Sequence, residues 1–311
     1  MDGGLAGGEG GLVAEAARPA GARAAVSAPA GVRVRRGVTL GGRALFILAV
    51  LAILFGPLLI LVVFSFNDST ILSFPWAGFT TRWYRQAFED PQLRTALLNS
   101  IVVSFIVAPL CLVIGTLTAF GLTRFRFRGR GAIAGLVGAP LVLPWLVIGI
   151  AALLAYRHQW VDLDLGLNTV VATQVICTFP LVTAIVAAQL FRFDRLQGEA
   201  AVDLGCSRLQ VLRHVILPHI APAVAAGAIF ALTWSFNNFE ISFFTIGFQQ
   251  TFPIWVYSTV RDSEHLPVVN AISTVISVVQ VLLIWAALKL MRARGGAMAP
   301  GVDTRPARGA A

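Results

Sequence analysis

The 311-residue chain contains one lysine, Lys289, and only 13% of its residues are charged. Cradling a nucleotide phosphate in a P-loop needs GxxxxGK followed by Ser or Thr, and Lys289 lies instead in AALKLMR, so this chain is not expected to hydrolyse ATP. No HExxH and no Gly-x-Ser-x-Gly elbow occurs, which removes the recognisable metalloprotease and serine-hydrolase patterns. Three cysteines, Cys111, Cys177 and Cys206, fall in or beside apolar stretches at unrelated spacings. They suit packing as small apolar groups better than a disulfide framework or a metal site. The histidines are scattered: His158 and His265 stand alone, and His214 and His219 are five apart, off a common helical face. No metal site is expected from them.

What is abundant is apolar surface. The chain is 57% hydrophobic with a mean hydropathy of +0.79. A soluble domain carries roughly a quarter charged residues, so this sequence cannot furnish an ordinary water-facing exterior. It reads as an all-α polytopic membrane protein. Crossing about 30 Å of hydrocarbon takes roughly 20 helical residues, and six stretches are long enough: 44–64, 97–121, 132–156, 167–191, 221–247 and 267–288. Only the fifth carries a formal charge, Glu240, and Pro57, Pro109, Pro140, Pro144 and Pro180 predict kinks. The run at 44–64 is too long for a signal h-region and lacks a small-x-small cleavage site, so it reads as an uncleaved anchor.

The net charge of +9 is topological rather than a nucleic-acid signature. Of the basic residues, only Arg82, Arg85, Arg94, Arg157 and Arg261 fall on one side of these spans. The rest gather in the N-terminal tail, the 2–3 and 4–5 connections and the C-terminal tail, which places both termini in the cytoplasm. Residues 1–43, rich in Gly and Ala, read as a disordered cytoplasmic tail, 44–291 as the transmembrane domain, and 292–311 as a second cytoplasmic tail.

One polar segment, 192–220, interrupts the apolar pattern between spans four and five. Residues 198–204 favour helix and set Ala200, Ala201 and Leu204 on one side; Gly205 suits the left-handed residue that ends a helix. Ser207 and Gln210 have capping-box spacing for a second short helix. Leu209, Leu212 and Ile216 then form one apolar stripe, and Pro218 should break the helix at Leu217. Such a stripe either folds back on the bundle or membrane, or docks in a partner's groove.

Within span five, Thr233, Asn237 and Glu240 recur at i, i+4 and i+7 beside Trp234 and Asn238. A polar stripe should not face lipid, so these residues line a translocation path or bond to neighbouring helices. Trp234 and Phe236 could offer π-faces to a cation.

Glu199-Ala200-Ala201, three residues, Gly205, nine residues and Val215-Ile216-Leu217-Pro218 together resemble the EAA loop of ABC-importer permeases. One conservative departure is Val215 where the family has isoleucine. The segment FPWAGFTTRWYRQAFEDPQLRTALLNS (74–100) and SFNNFEISFFTIG (235–247) are similar to stretches of spermidine/putrescine-type permeases, and the resemblance covers roughly 44–291. In that family two acids often stand where this chain has Asn237 and Asn238, and an apolar residue stands where it has Glu240.

The resemblance implies an all-α permease subunit with no cofactor of its own, set in a bacterial inner membrane and coupled to a cytoplasmic ABC ATPase dimer that uses ATP-Mg. It implies a second permease subunit, an external substrate-binding protein and import of polyamines or a related small solute as the task. Glu199 and Gly205 would shape the coupling joint, Leu209 and Leu212 would make the contact, and Leu217 and Pro218 close the motif. An ion-coupled secondary transporter using Glu240 is the alternative reading; the inverted repeats that would favour it are not evident.

Overall fold

The computed structural model describes residues 32–70, 76–157, 163–261 and 265–296, with side chains from 42 to 289. Among these residues the regular elements are all helices, with one isolated β-bridge between Asn67 and Phe79. In chain order the helices are α1 (Val32–Phe64), α2 (Arg82–Glu89), α3 (Pro91–Arg124), α4 (Arg130–Val142), α5 (Trp145–Tyr156) and α6 (Leu167–Arg192). There follow α7 (Arg195–Asp203), α8 (Arg208–Val211), a π-helical turn (Leu212–Ile216), α9 (Leu217–Phe236), α10 (Glu240–Thr245), α11 (Phe252–Val260) and α12 (Leu266–Gly296).

The chain divides into two compact units, residues 1–56 and 57–311. In the first, α1 begins at Val32, inside the stretch expected to be tail, and residues 42–56 expose Leu45, Phe46, Ile53 and Leu54. The rest of the N-terminal tail and residues 297–311 of the C-terminal tail lie outside the described residues.

In the second unit the core forms where α3, α6 and α9 pack together. Small residues let these helices approach closely, since hydrocarbon supplies no hydrophobic drive for one helix to seek another. Cys111 and Ala119 of α3 are fully buried. Between them lies Gly115, where an added Cβ would sit 2.9 Å from Val182 Cβ and 3.0 Å from the Phe179 carbonyl of α6. The three cysteines are free, Cys111 and Cys177 buried and Cys206 exposed. A second cluster joins α2, α3, α11 and α12 around Trp83, Leu93, Phe252, Trp255 and Ile272. Apolar side chains such as Phe105, Leu117, Leu282 and Trp285 cover the outside, as lipid requires.

Five helical segments are long and apolar enough to cross a membrane, and a bent pair brings the number to six. The bent pair falls within the third span at 132–156, where Pro140 and Pro144 predict a kink, and the bend is sharp enough to divide the span. Leu143 is extended (φ −76°, ψ 138°) because Pro144 disfavours helix at the residue before it, and α4 and α5 meet at 105°. The fifth span is also interrupted: α9 ends at Phe236 and α10 restarts at Glu240, inside the stretch expected to run unbroken to 247.

Gly115→Ala should lower the melting temperature in detergent, at a cost of about 1–3 kcal/mol for overpacking a filled helix contact. Gly121→Ala, where nothing lies within 4 Å of the new carbon, should leave stability equal or slightly higher. Equal melting of the two variants would contradict this packing.

Candidate functional site

The polar segment between α6 and α9 forms the two short helices expected of it. Asp194 caps α7 by accepting from the Leu196 amide at 3.0 Å. The end of α7 is a Schellman arrangement: the Cys206 amide donates to the Ala201 carbonyl at 3.0 Å and the Gly205 amide to Val202 at 2.8 Å. Gly205 sits at φ +90°, where a side chain would be strained. Ser207 then caps α8, its Oγ accepting from the Gln210 amide at 3.3 Å while Gln210 Oε1 accepts from the Ser207 amide at 2.7 Å.

Two expectations for this segment are corrected. The helix does not break at Leu217. The π-turn at Leu212–Ile216 carries it directly into α9, so Arg208–Phe236 is one helical rod of 29 residues. Pro218 follows the π-turn directly, inside the rod; the Leu217 amide donates to the Leu212 carbonyl, and the wider turn accommodates the proline ring and its missing N–H. The same turn shifts the register of Ile216 relative to Leu209 and Leu212, and the three differ in burial. Leu209 is 72% exposed, Leu212 is half-buried, and Ile216 packs on the α3–α6–α9 core. The residue that anchors the segment is Val211, buried and absent from the expected stripe. The exposed large apolar side chains of α7, α8 and the turn between them are Leu196, Val202, Leu204 (86% exposed) and Leu209; Glu199 and Ala200 are also exposed and Ala201 is half-buried.

At the other end of the rod lies the interruption between α9 and α10. A cavity of about 370 Å³ opens there, lined by Phe230, Thr233, Trp234, Asn237, Asn238 and Glu240. All five residues anticipated for a path therefore meet at one site, although not as a continuous helical stripe. Trp234 stacks on Phe230 (centroids 5.2 Å) and meets Trp145 of α5 edge-on at 4.8 Å. Phe236 is not part of this wall; it packs against Phe252. Asn237 donates to the Thr233 carbonyl at 2.9 Å, and its Oδ1 accepts from Gln280 of α12 at 3.3 Å. Asn238, buried, accepts from the Ile241 amide in the first turn of α10 at 3.2 Å. Glu240 is exposed, forms no ion pair among the described residues, and is the one charged group in the wall.

What holds the interruption is Gln174 of α6, which sequence reasoning missed. It is 1% exposed; its Oε1 accepts from Ser235 Oγ at the end of α9, and its Nε2 donates to Ser242 Oγ of α10 at 3.0 Å. One amide thus ties both sides of the break to α6. Thr169 Oγ1 adds a bond to the Thr245 carbonyl at 2.6 Å. On the opposite side α5 presses close, because a Cβ at Gly149 would lie 3.0 Å from the Glu240 carbonyl. A glutamine inside an apolar helix was visible in the sequence, but its two serine partners are more than 60 positions away.

A larger cavity of about 650 Å³ lies elsewhere, between α2, α3, α11 and α12. Its acid, Asp90, is already engaged as the cap of α3 through the Gln92 amide. No group of three metal-ligating side chains occurs among the described residues. Chemistry therefore favours the smaller cavity, where a carboxylate, two amides and aromatic faces converge.

A helical membrane subunit with an interrupted span at a polar cavity and a capped double helix between spans defines a transport permease. Its residues 111–294 match the family described as binding-protein-dependent transport system inner membrane component, and the chain belongs to that family. It is 33% identical over 240 residues to the spermidine/putrescine transport system permease protein PotC of Haemophilus influenzae, covering 77% of this chain and 92% of that one. It is 35% identical over 230 residues to the putrescine transport system permease protein PotI of Escherichia coli K12, covering 72% and 81%. Its place in the family is thus with the polyamine-type ABC-importer permeases of the bacterial inner membrane.

Among solved structures, a bacterial ABC transporter importing alginate superposes with a TM-score of 0.65 at 16% identity, covering 84% of this chain and 97% of that one. The MetNI methionine ABC transporter superposes at 0.53 and 18% identity, covering 65% and 95%. At these identities the likeness establishes the fold.

Gln174→Leu should leave two buried serine hydroxyls without their shared partner, a loss of about 1–3 kcal/mol. Amide hydrogen exchange at Asn238–Ile241 should accelerate while the centre of α3 stays protected. Unchanged exchange at the break would show that Gln174 does not pin it.

Proposed function

We propose that this chain forms half of the translocation path for a small cationic solute of the polyamine type, driven by a separate ATPase. The cavity at the α9–α10 break carries the proposal. Its single charge is the carboxylate of Glu240, its hydrogen-bonding groups are Asn237, Asn238 and Thr233, and its apolar wall is Phe230 and Trp234. An ammonium group would find a counter-charge, amide acceptors and a π-face there, the last worth roughly 0.5–2 kcal/mol depending on desolvation. The relatives named for spermidine and putrescine transport support the same substrate class.

The coupling arrangement follows from the rod. With the α7–α8 segment facing the cytoplasm, as the distribution of arginines favours, Val202, Leu204 and Leu209 form the knob that enters a groove of the ATPase. Glu199 and Gly205 shape it, and Leu217 and Pro218 join it to α9. Closure of an ATPase dimer around ATP-Mg moves this knob, and the unbroken helix from Arg208 to Phe236 carries the displacement to the cavity. A second permease subunit supplies the facing wall. A loaded external binding protein favours the outward-open state by binding it more tightly. Both termini are cytoplasmic, and the chain needs no cofactor.

Two variants test the two ends separately in the assembled transporter. Leu204→Asp with Leu209→Asp should abolish copurification of the ATPase. Glu240→Gln should keep the ATPase bound but cut spermidine or putrescine uptake by about tenfold, the effect of losing roughly 1.4 kcal/mol of charge pairing. Wild-type uptake by Glu240→Gln would remove the carboxylate from the path. Uptake by the chain alone under an ion gradient would instead favour an ion-coupled carrier using Glu240.

A further inference from the structure

The sequence places many arginines between the spans, and topology explains their sign but not their contacts. Three of them converge. Arg124, the last residue of α3, Arg195, the first of α7, and Arg208, the first of α8, line a cavity of about 420 Å³ together with Glu199 and Asp203. Arg124 lies over the Phe193 ring, its guanidinium carbon 4.8 Å from the centroid. Its Nε and Nη2 are buried and have no hydrogen-bond partner. Arg195 Nη2 donates to the carbonyl of Thr123, the residue before Arg124, at 3.2 Å.

Leaving charged donors buried and unpaired costs about 1–3 kcal/mol or more each. The carboxylates in the same wall do not relieve this, because neither Glu199 nor Asp203 forms an ion pair among the described residues. The unmet demand is for an acceptor with several oxygens. A planar guanidinium fork matches a phosphate bidentately, and basic pockets at the inner end of membrane helices take lipid headgroups.

We infer that Arg124, Arg195 and Arg208 hold a phosphate-type oxyanion at the foot of the α7–α8 segment, either the headgroup of an anionic phospholipid or free phosphate. The bound oxyanion ties the end of α3 to α7 and α8 across the cavity. It thereby sets the stiffness of the segment proposed to couple to the ATPase, and makes transport sensitive to membrane composition. The site itself does not depend on that coupling, and its test needs no ATPase.

Full-length protein is reconstituted in phosphatidylcholine nanodiscs, in the same discs with added phosphatidylglycerol, and in phosphatidylcholine with inorganic phosphate in solution. Melting temperature and lipid retained in native mass spectrometry are read for wild type, Arg124→Met, Arg195→Met and, as a control, Arg126→Gln. Arg126 is exposed on the same connection and does not line the cavity. The expected result is higher melting with phosphatidylglycerol, lost in Arg124→Met and kept in Arg126→Gln, with roughly fivefold less lipid retained per arginine removed, matching about 1 kcal/mol each. Should Arg124→Met not fold, Arg195→Met reports the same loss. Stabilisation by phosphatidylglycerol alone identifies the lipid as the source, and stabilisation by both anions admits free phosphate; either supports the site. Indifference to both anions, or an equal loss in Arg126→Gln, overturns it. Stabilisation only by an added ATPase would assign the cavity to a protein carboxylate and overturn it as well.

Discussion

A helix that stops inside hydrocarbon leaves amides and carbonyls that water cannot reach, and each must find a partner within the protein. The architecture of this permease follows from how that demand is met at its interruptions. Between α9 and α10, the Asn237 and Asn238 amides donate back to the Thr233 and Ser235 carbonyls and Asn238 Oδ1 accepts from the Ile241 amide, while Gln174 joins the Ser235 and Ser242 side chains across the break. At the π-turn, the Leu217 amide reaches back to the Leu212 carbonyl, and the helix continues past Pro218. Between α4 and α5, Leu143 donates back to the Ala139 carbonyl before Pro144 turns the chain. The polar residues that make an interrupted span tolerable also make a cavity at the same place.

The close approach of α3, α6 and α9 serves that arrangement. Gly115 brings α3 onto Val182, and Gly227 of α9 approaches the same valine, with a Cβ there 3.3 Å from its Cγ1. Gln174 lies on the same helix as Val182, so the frame that packs tightest is also the one that pins the break. In the reading we propose, motion enters at Leu204 and Leu209, passes through Val211 into α9, and ends where α9 itself ends. The rod would carry displacement, and the break would convert it into a change of cavity shape.

The sequence made several of these features legible before any coordinates. Capping residues are local, so Ser207 with Gln210, and Gly205, could be read directly. Six apolar runs, one with a charge, marked the spans and the neighbourhood of the cavity. Other features depended on partners far along the chain. Nothing local says that Gln174 meets Ser235 and Ser242. Pro144 signalled a kink, but whether a proline bends a helix slightly or by 105° depends on what α5 packs against, here α10 at Gly149. The expected stripe of Leu209, Leu212 and Ile216 crosses a π-turn, over which the 3.6-residue period no longer places Ile216. That turn leaves no local mark beyond Pro218, which reads equally as a break.

The central claim is that an unbroken helix links the segment between α6 and α9 to the cavity at Asn237–Glu240. The most direct measurement compares ATP hydrolysed with polyamine imported in proteoliposomes, using the assembled transporter with two glycines inserted after Leu217. The account predicts that this insertion keeps the ATPase bound and hydrolysing while uptake collapses, because the rod no longer transmits. Uptake that stays proportional to hydrolysis, with the helix interrupted, would contradict it.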